Sequence, residues 1–358
     1  MPILNFMKSY TLLTFLLLTY VHCLAQGNFT LSGTILNENS EPIEAATVFI
    51  DGSKQFVRTD ADGKYSFSGI SNGGYHLVVN MIGYGSIKQD VVIQDKSVTL
   101  NIKLIAQEQT LREVVIVGDI KRLNYLKLFK KYFLGESDNA AGCTILNSEV
   151  LNFTMNGKIL SASSDDFLQI QNAVLGYKIK YLLKDFQYNS YLETTQYQGQ
   201  CIFEETEGSN AEKEQWRRSR REAYFGSLMH YLRALYTGST QSEGFLTYKV
   251  LNERLPIDID IKPVSGTRLQ QKIADNLTKV KYKRRLYTVY NKKLAAQNYT
   301  FPKEARIIRD LDEYGSIFKT DAMIDSKGNY VNYKELLIQG FWGRKRIGDQ
   351  LPYEYIPD

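Results

Sequence analysis

Histidine is scarce, with three in 358 residues. His22 falls in an apolar leader, which leaves His76 and His230. Neither has an acid three residues on, where Val79 and Arg233 stand, and no His-Glu-x-x-His occurs. Isolated histidines without ligand-spaced acids do not build a zinc site, so a zinc hydrolase of that pattern is excluded. Cysteine is equally scarce, at three. Setting aside Cys23 in the leader, Cys143 and Cys201 either form a disulfide across a loop of 58 residues or stay separate buried thiols. Paired, they would contribute about 4 kcal/mol in chain-entropy terms. Charge of one sign is also lacking. A net +5 is too slight to imply nucleic acid.

What is present begins with a leader. Lys8 precedes the apolar run "TLLTFLLLTYV", residues 11–21, and small residues follow at Cys23 and Ala25. This reads as a signal peptide over 1–25 and implies export. His22 stands where a lipoprotein would want a small residue, and the run is too short for a mature membrane span. Beyond it no transmembrane helix is expected. The 25 Tyr and 17 Phe favour strands, Tyr especially those with one wet end.

Residues 27–105 are a series of short strands separated by turn clusters. "FTLSGTIL", "AATVFID", "KYSFSGI", "YHLVVNMIG", "IKQDVVI" and "VTLNIKL" follow one another at the spacing of an antiparallel β-sandwich. Between them, "RTDADGKYSF" holds Asp60, Asp62 and Gly63, a run that could wrap calcium. An EF-hand loop with Gly63 at its sixth position would begin at Arg58 and close at Gly69, without an anion at either place. The run reads as a turn, with Asp capping and Gly63 supplying positive φ.

"SGTILNENSEPIEAATVFI", "TDADGKYSFSGI" and "GGYHLVVNMIGYGS" together resemble the carboxypeptidase regulatory-like domain, common in envelope proteins of the Bacteroidetes. The resemblance implies a transthyretin-like sandwich and an envelope compartment, not peptidase activity. Residues 106–119 read as a last strand and linker, and "LREVVIVGD" is similar to the segment that follows this domain in TonB-dependent receptors. There it includes an energy-coupling box, so the segment could be a strand that a periplasmic partner augments. Too little sequence follows for a plug and a large barrel, so the whole molecule is not expected to be such a receptor.

Residues 120–358 read as an α+β domain with long antiparallel strands and one main helix, so the chain as a whole is mainly β. A short helix opens it, and "GYKIKYLLKDFQY" places Tyr177, Ile179 and Tyr181 on one side of a strand. The main helix is expected over 211–235. Its apolar arc runs from Tyr224 and Phe225 to Leu235 and Tyr236 and leaves His230 at the polar edge. "FGSLM" is not a nucleophile elbow, so Ser227 and His230 are read as a plain helix face. Arg217, Arg218, Arg220 and Arg221 read as a solvated face. A strand over 278–293 would align Lys279, Lys281, Lys283 and Arg285, either as a stripe for an anionic ligand or as edge-guarding charge. The "DSKGNY" turn echoes "DADGKY". "LGYKIKYLLKDFQY", "REAYFGSLMHYLRAL" and "RIGDQLPYEYIP" resemble an uncharacterised region that accompanies the regulatory-like domain, from which no functional residue is carried over.

No nucleophile, base or metal set converges, so no catalytic residue and no cofactor is assigned. The reading is a non-catalytic exported protein, of the periplasm or outer membrane, that binds an envelope protein or a glycan. The alternatives are a glycosidase-like hydrolase working through two carboxylates, and a purely structural envelope component. Oligomeric state is left open.

Overall fold

The computed structural model describes residues 29–107, 119–252, 257–274, 277–280, 282, 284–308, 315–319, 323–331 and 337–358. Residues 1–28, which include the expected signal peptide, and residues 108–118, which include most of "LREVVIVGD", lie outside them.

The first half is a β-sandwich of eight strands. They are β1 (Phe29–Leu36), β2 (Thr47–Ile50), β3 (Phe56–Arg58), β4 (Lys64–Ile70), β5 (Gly73–Asn80), β6 (Ile87–Ile93), β7 (Val98–Thr99) and β8 (Ile102–Lys103). One sheet runs β4-β1-β7, with β8 pairing farther along β1, and the other runs β3-β2-β5-β6. Alternation along β1 and β4 sends Leu31, Ile35, Tyr65 and Phe67 inward against Val48, Leu77 and Val79. Asp60 makes the corner before β4. Its Oδ1 accepts the backbone N–H groups of Asp62 at 3.0 Å and Lys64 at 2.8 Å. Gly63 has φ +70°, and a Cβ there would meet the Ile35 carbonyl oxygen at 2.5 Å.

The second half begins with α1 (Asp119–Leu134), then β9 (Cys143–Ile145), β10 (Leu151–Asn156), β11 (Ile159–Ser164), β12 (Leu168–Asn172), β13 (Tyr177–Asn189) and β14 (Thr194–Glu205). These strands form a sheet in the order β10-β11-β13-β12-β9, with β14 along the other side of β13. α1 covers one face. Its Phe129 meets Phe186 with ring centroids 4.9 Å apart, and its Phe133 meets Tyr181 at 5.0 Å.

The expected single helix is broken in two, α2 (Asn210–Tyr224) and α3 (Leu228–Thr237). Ser209 and Glu212 form a capping box that starts α2. Gly226, at φ +82°, turns the chain, and Ser227 restarts it by accepting the His230 N–H at 3.1 Å. The new helix axis carries His230 inward, 2% exposed, rather than to a polar edge. α3 packs with Phe245 and Phe318 on the remaining strands and with Trp342, in a short helical turn after the last of them.

Those strands are β15 (Phe245–Asn252), β16 (Ile257–Ile259), β17 (Gln270–Ala274), β18 (Leu277–Val280), β19 (Leu286–Tyr290), β20 (Ile307–Ile308), β21 (Gly315–Lys319), β22 (Met323–Ile324), β23 (Tyr330–Val331) and β24 (Leu337–Gly340). One sheet runs β20-β16-β15-β19-β21-β24, the other β17-β18-β22-β23. The chain is therefore mainly β, a sandwich followed by an α+β half, as its alternation and turns imply.

Candidate functional site: the seam and cleft between the two halves

A sandwich strand facing water on one side alternates buried and exposed, yet Gly73–Val79 of β5 are buried throughout. The second half covers the outer face. Phe49 and Val78, which point away from the sandwich core, pack with Ile202 of β14, and the Phe49 ring meets Phe167 edge-on at 5.8 Å. Each such burial stabilises by about 1.5–3 kcal/mol.

Polar contacts fix the register of this seam. The Gly52 N–H donates to the Cys201 carbonyl at 2.9 Å, and the Phe203 N–H donates to the Ser53 carbonyl at 2.9 Å, so the sandwich adds a short parallel piece to the edge of β14. Asp51 Oδ1 accepts the Cys201 N–H at 2.9 Å, and Asp51 Oδ2 lies 3.4 Å from Lys88 Nζ. Burial raises the Asp51 pKa, against the pull of Lys88 and the Cys201 amide. Tyr353 N–H donates to the Gly52 carbonyl at 3.0 Å, and Lys54 pairs with Glu205 at 3.0 Å.

The two Asp-Gly turns share one geometry and differ in what they face. Asp325 Oδ1 accepts the N–H groups of Lys327 at 2.9 Å and Asn329 at 3.0 Å, as Asp60 does for its own turn. Asp60 is exposed, whereas Asp325 is 1% exposed and docked on β5. Its Oδ2 accepts from the Gly74 N–H at 3.3 Å, and Asn329 Nδ2 donates to the Gly74 carbonyl at 2.8 Å. Burial pushes Asp325 up to about 6. His76 joins the same contact. Its Nδ1 lies 2.6 Å from Asp90 Oδ1, and its Nε2 donates to the Tyr330 carbonyl at 2.9 Å.

Beside the seam lies a cleft of about 2550 Å³. The sandwich contributes Asp51, His76, Lys88 and Asp90 to its wall, β14 contributes Thr194–Gly199, and the C-terminal stretch contributes Trp342, Arg344, Arg346 and Tyr353. Acids, bases, amides and aromatic rings are interspersed. The Arg346 guanidinium sits 5.9 Å from the Tyr197 ring centre. Burial raises the Tyr197 pKa, and Arg346 opposes it. Among the described residues no group of three or more His, Cys, Asp or Glu is placed to hold a metal ion.

Of the residues singled out from the sequence, His76, Cys201, Ser227 and Arg285 line the cleft, whereas Cys143, His230 and Lys279 do not. Cys143 and Cys201 are both free thiols, so the disulfide left open by their spacing is not formed. Cys143 lies opposite Asn172, Asn172 opposite Tyr177, and Cys201 opposite Tyr181, so three strand spacings separate the two cysteines. That is roughly 14 Å across the sheet and roughly 13 Å along it, far beyond disulfide reach. The basic stripe is not built on one strand. Lys279 lies on β18, in one sheet, while Arg285 precedes β19, in another. Lys281 and Lys283 lie outside the described residues. Ser227 is a helix cap, and His230 is held by its neighbours, with Nδ1 accepting the Gly226 N–H at 3.1 Å and Nε2 3.1 Å from Glu243. Arg220 is not a solvated residue. It donates to the carbonyls of Leu175 at 2.7 Å and Gly176 at 3.0 Å. Gly69–Gly73 spells Gly-x-Ser-x-Gly, but between strands β4 and β5, not at a strand-to-helix turn.

Sequence reasoning missed Asp51, Asp325 and Tyr197. Two signals were available. The apolar residues on both faces of β5 mark a strand buried twice, and the repeated Asp-x-x-Gly turn marks Asp325.

The eight-stranded sandwich defines the class of the first half, and residues 31–116 match the family model of the CarboxypepD_reg-like domain. Among curated proteins, TonB-dependent receptor P39 of Formosa agariphila is 38% identical over 87 residues. That match spans 24% of this chain and only 8% of the receptor. Among solved structures, the minor pilin GBS52 of Streptococcus agalactiae aligns at 18% identity over 23% of this chain and 46% of its own, with a TM-score of 0.21. Catechol 1,2-dioxygenase from Pseudomonas arvilla C-1 aligns at 10% identity over 25% and 55%, with a TM-score of 0.21. Likeness at that level bears on neither ligand nor reaction.

Proposed function

We propose that the protein is an exported, non-catalytic binding module of the cell envelope, in which the cleft beside the seam holds a protein partner or a glycan. The observation that carries this reading is the cleft itself, large, mixed in charge and lined by aromatic and amide side chains. The partial likeness of its sandwich to a segment of a TonB-dependent receptor supports the envelope setting. Asp51, His76 and Asp325 each commit one polar atom to the seam and the other to a partner in their own half. That use favours docking over chemistry.

Gln198, exposed on the cleft wall, gives the test. Gln198→Trp fills the mouth while leaving the seam intact. A glycan array and a phage-displayed library of random heptapeptides are screened on the full chain. Ligands recovered by the wild type are expected to lose about tenfold or more in affinity on the tryptophan variant, as burial in a blocked site requires. Ligands that bind both equally would overturn the reading.

A second reading keeps one specific support. Asp51 lines the cleft with its pKa raised by burial, as a general acid needs. Release of reducing sugar from a glycan panel, abolished by Asp51→Asn, would establish that hydrolase reading instead.

A further inference from the structure

Among the described residues β14 pairs with β13 along its whole length and, on its other side, only with the sandwich segment near Cys201–Phe203. There the sandwich shows which backbone groups face outward. The N–H and C=O of Cys201 and the N–H of Phe203 all bond to the Asp51–Ser53 segment, away from β13. Backbone groups alternate sides along a strand, so the other odd-numbered residues face the same way. The one irregularity in this pairing is an extra residue on β13, at Lys184, which leaves the parity of β14 undisturbed. Thr195, Tyr197 and Gly199 therefore turn their N–H and C=O groups outward. No backbone group among the described residues bonds to them there.

The cleft lies on that side. Every residue from Thr194 to Gly199 lines it, side chains of both faces included, so it runs along the strand edge. Bare edges are usually blunted by lysine, proline or a bulge. "TTQYQGQ" has no charge and no proline. This edge instead lies along the wall of the cleft, so a strand that pairs with it has to enter the cleft.

We propose that the Thr194–Gly199 edge accepts one extended polypeptide segment of a partner protein, which continues along the edge of β14 the augmentation that the sandwich begins at Ser53. The proposal rests on the cleft being a binding site and names the class of ligand. Its side-chain rows suit an alternating segment. One row of the segment meets Thr195 and the Tyr197 ring, and the other meets the uncharged Thr194, Gln196 and Gln198.

Thr195→Pro tests it in the full chain. The proline removes an outward N–H and leaves the ladder to β13 intact, the position at which edge proline is tolerated. Heptapeptides enriched on the wild type are expected to alternate in polarity and to lose about tenfold or more on Thr195→Pro, because main-chain bonds carry strand addition. They are also expected to slow amide exchange at Thr195, Tyr197 and Gly199 of the wild type, a readout that stands even where the proline variant fails to fold. Ligands lost on Gln198→Trp but kept on Thr195→Pro, glycans above all, would overturn strand addition and leave the cleft reading in place. Ligands kept on both variants would overturn both.

Discussion

The Asp51 carboxylate accepts the backbone N–H of Cys201 at 2.9 Å, so a side chain of the sandwich closes a strand edge of the other half. Asp51→Ala deprives that N–H of its acceptor and Lys88 of a partner. The expected cost is about 2–3 kcal/mol in urea unfolding at neutral pH. Asp51→Asn keeps an acceptor and is expected to recover about half of it. An alanine variant as stable as the wild type would show that the contact does not hold the halves together.

Asp325 sets a slope of stability with pH. Its folded pKa is about 6, against 3.8 as the ordinary value. Between those values the folded chain holds a proton that the unfolded chain has released, so stability falls as pH rises through the window and levels off above it. The span is worth about 3 kcal/mol. Asp325→Asn is expected to flatten this part of the curve, measured as urea midpoints from acid to neutral pH. An unchanged slope would refute the assignment.

His230 works with the opposite sign. Burial lowers its pKa from 6.5, against the pull of Glu243. The unfolded chain takes up the proton first, so stability is full above that ordinary value and is lost as pH falls below it. His230→Gln is expected to cost about 1–3 kcal/mol at neutral pH, through the lost hydrogen bonds of a buried ring. The gap to the wild type should narrow in acid, where the wild type alone pays for protonation. A gap constant with pH would mean that the ring is not held neutral.

The cysteines should be slow to react in the native chain. Burial pushes the Cys143 thiol up to about 12 and raises Cys201 as well. Thiol reagents at neutral pH are expected to label neither until denaturant is added, and mass spectrometry should show no loss of hydrogen between the two. A native Cys143–Cys201 crosslink would contradict the strand order.

The sandwich was legible because its signals are local. Alternation and the Asp60–Gly63 corner each sit within a few residues, and turn chemistry needs no distant partner. The helix break was written as locally but read through. The apolar arc continues across Phe225–Gly226–Ser227, and a serine followed by a helical run is itself a start signal. The lysine stripe failed for the reverse reason. Period-two alternation continues from Lys279 to Arg285 while the chain passes from one sheet to another. The seam and cleft join residues 51, 76, 201, 325 and 353, and no window of sequence contains two of the widely separated partners. The composition of β5 and the repeated Asp-x-x-Gly turn were the signals that pointed toward them.

The docked Asp325 turn and the Tyr353 contact also set an order of events. A ribosome delivers the sandwich long before the residues that cover it. Phe49 and Val78 then wait exposed until β14 arrives, and the Gly52 carbonyl waits for Tyr353. The nascent sandwich is therefore a natural client for a holdase during synthesis, until the residues that cover Phe49, Val78 and the Gly52 carbonyl have been made.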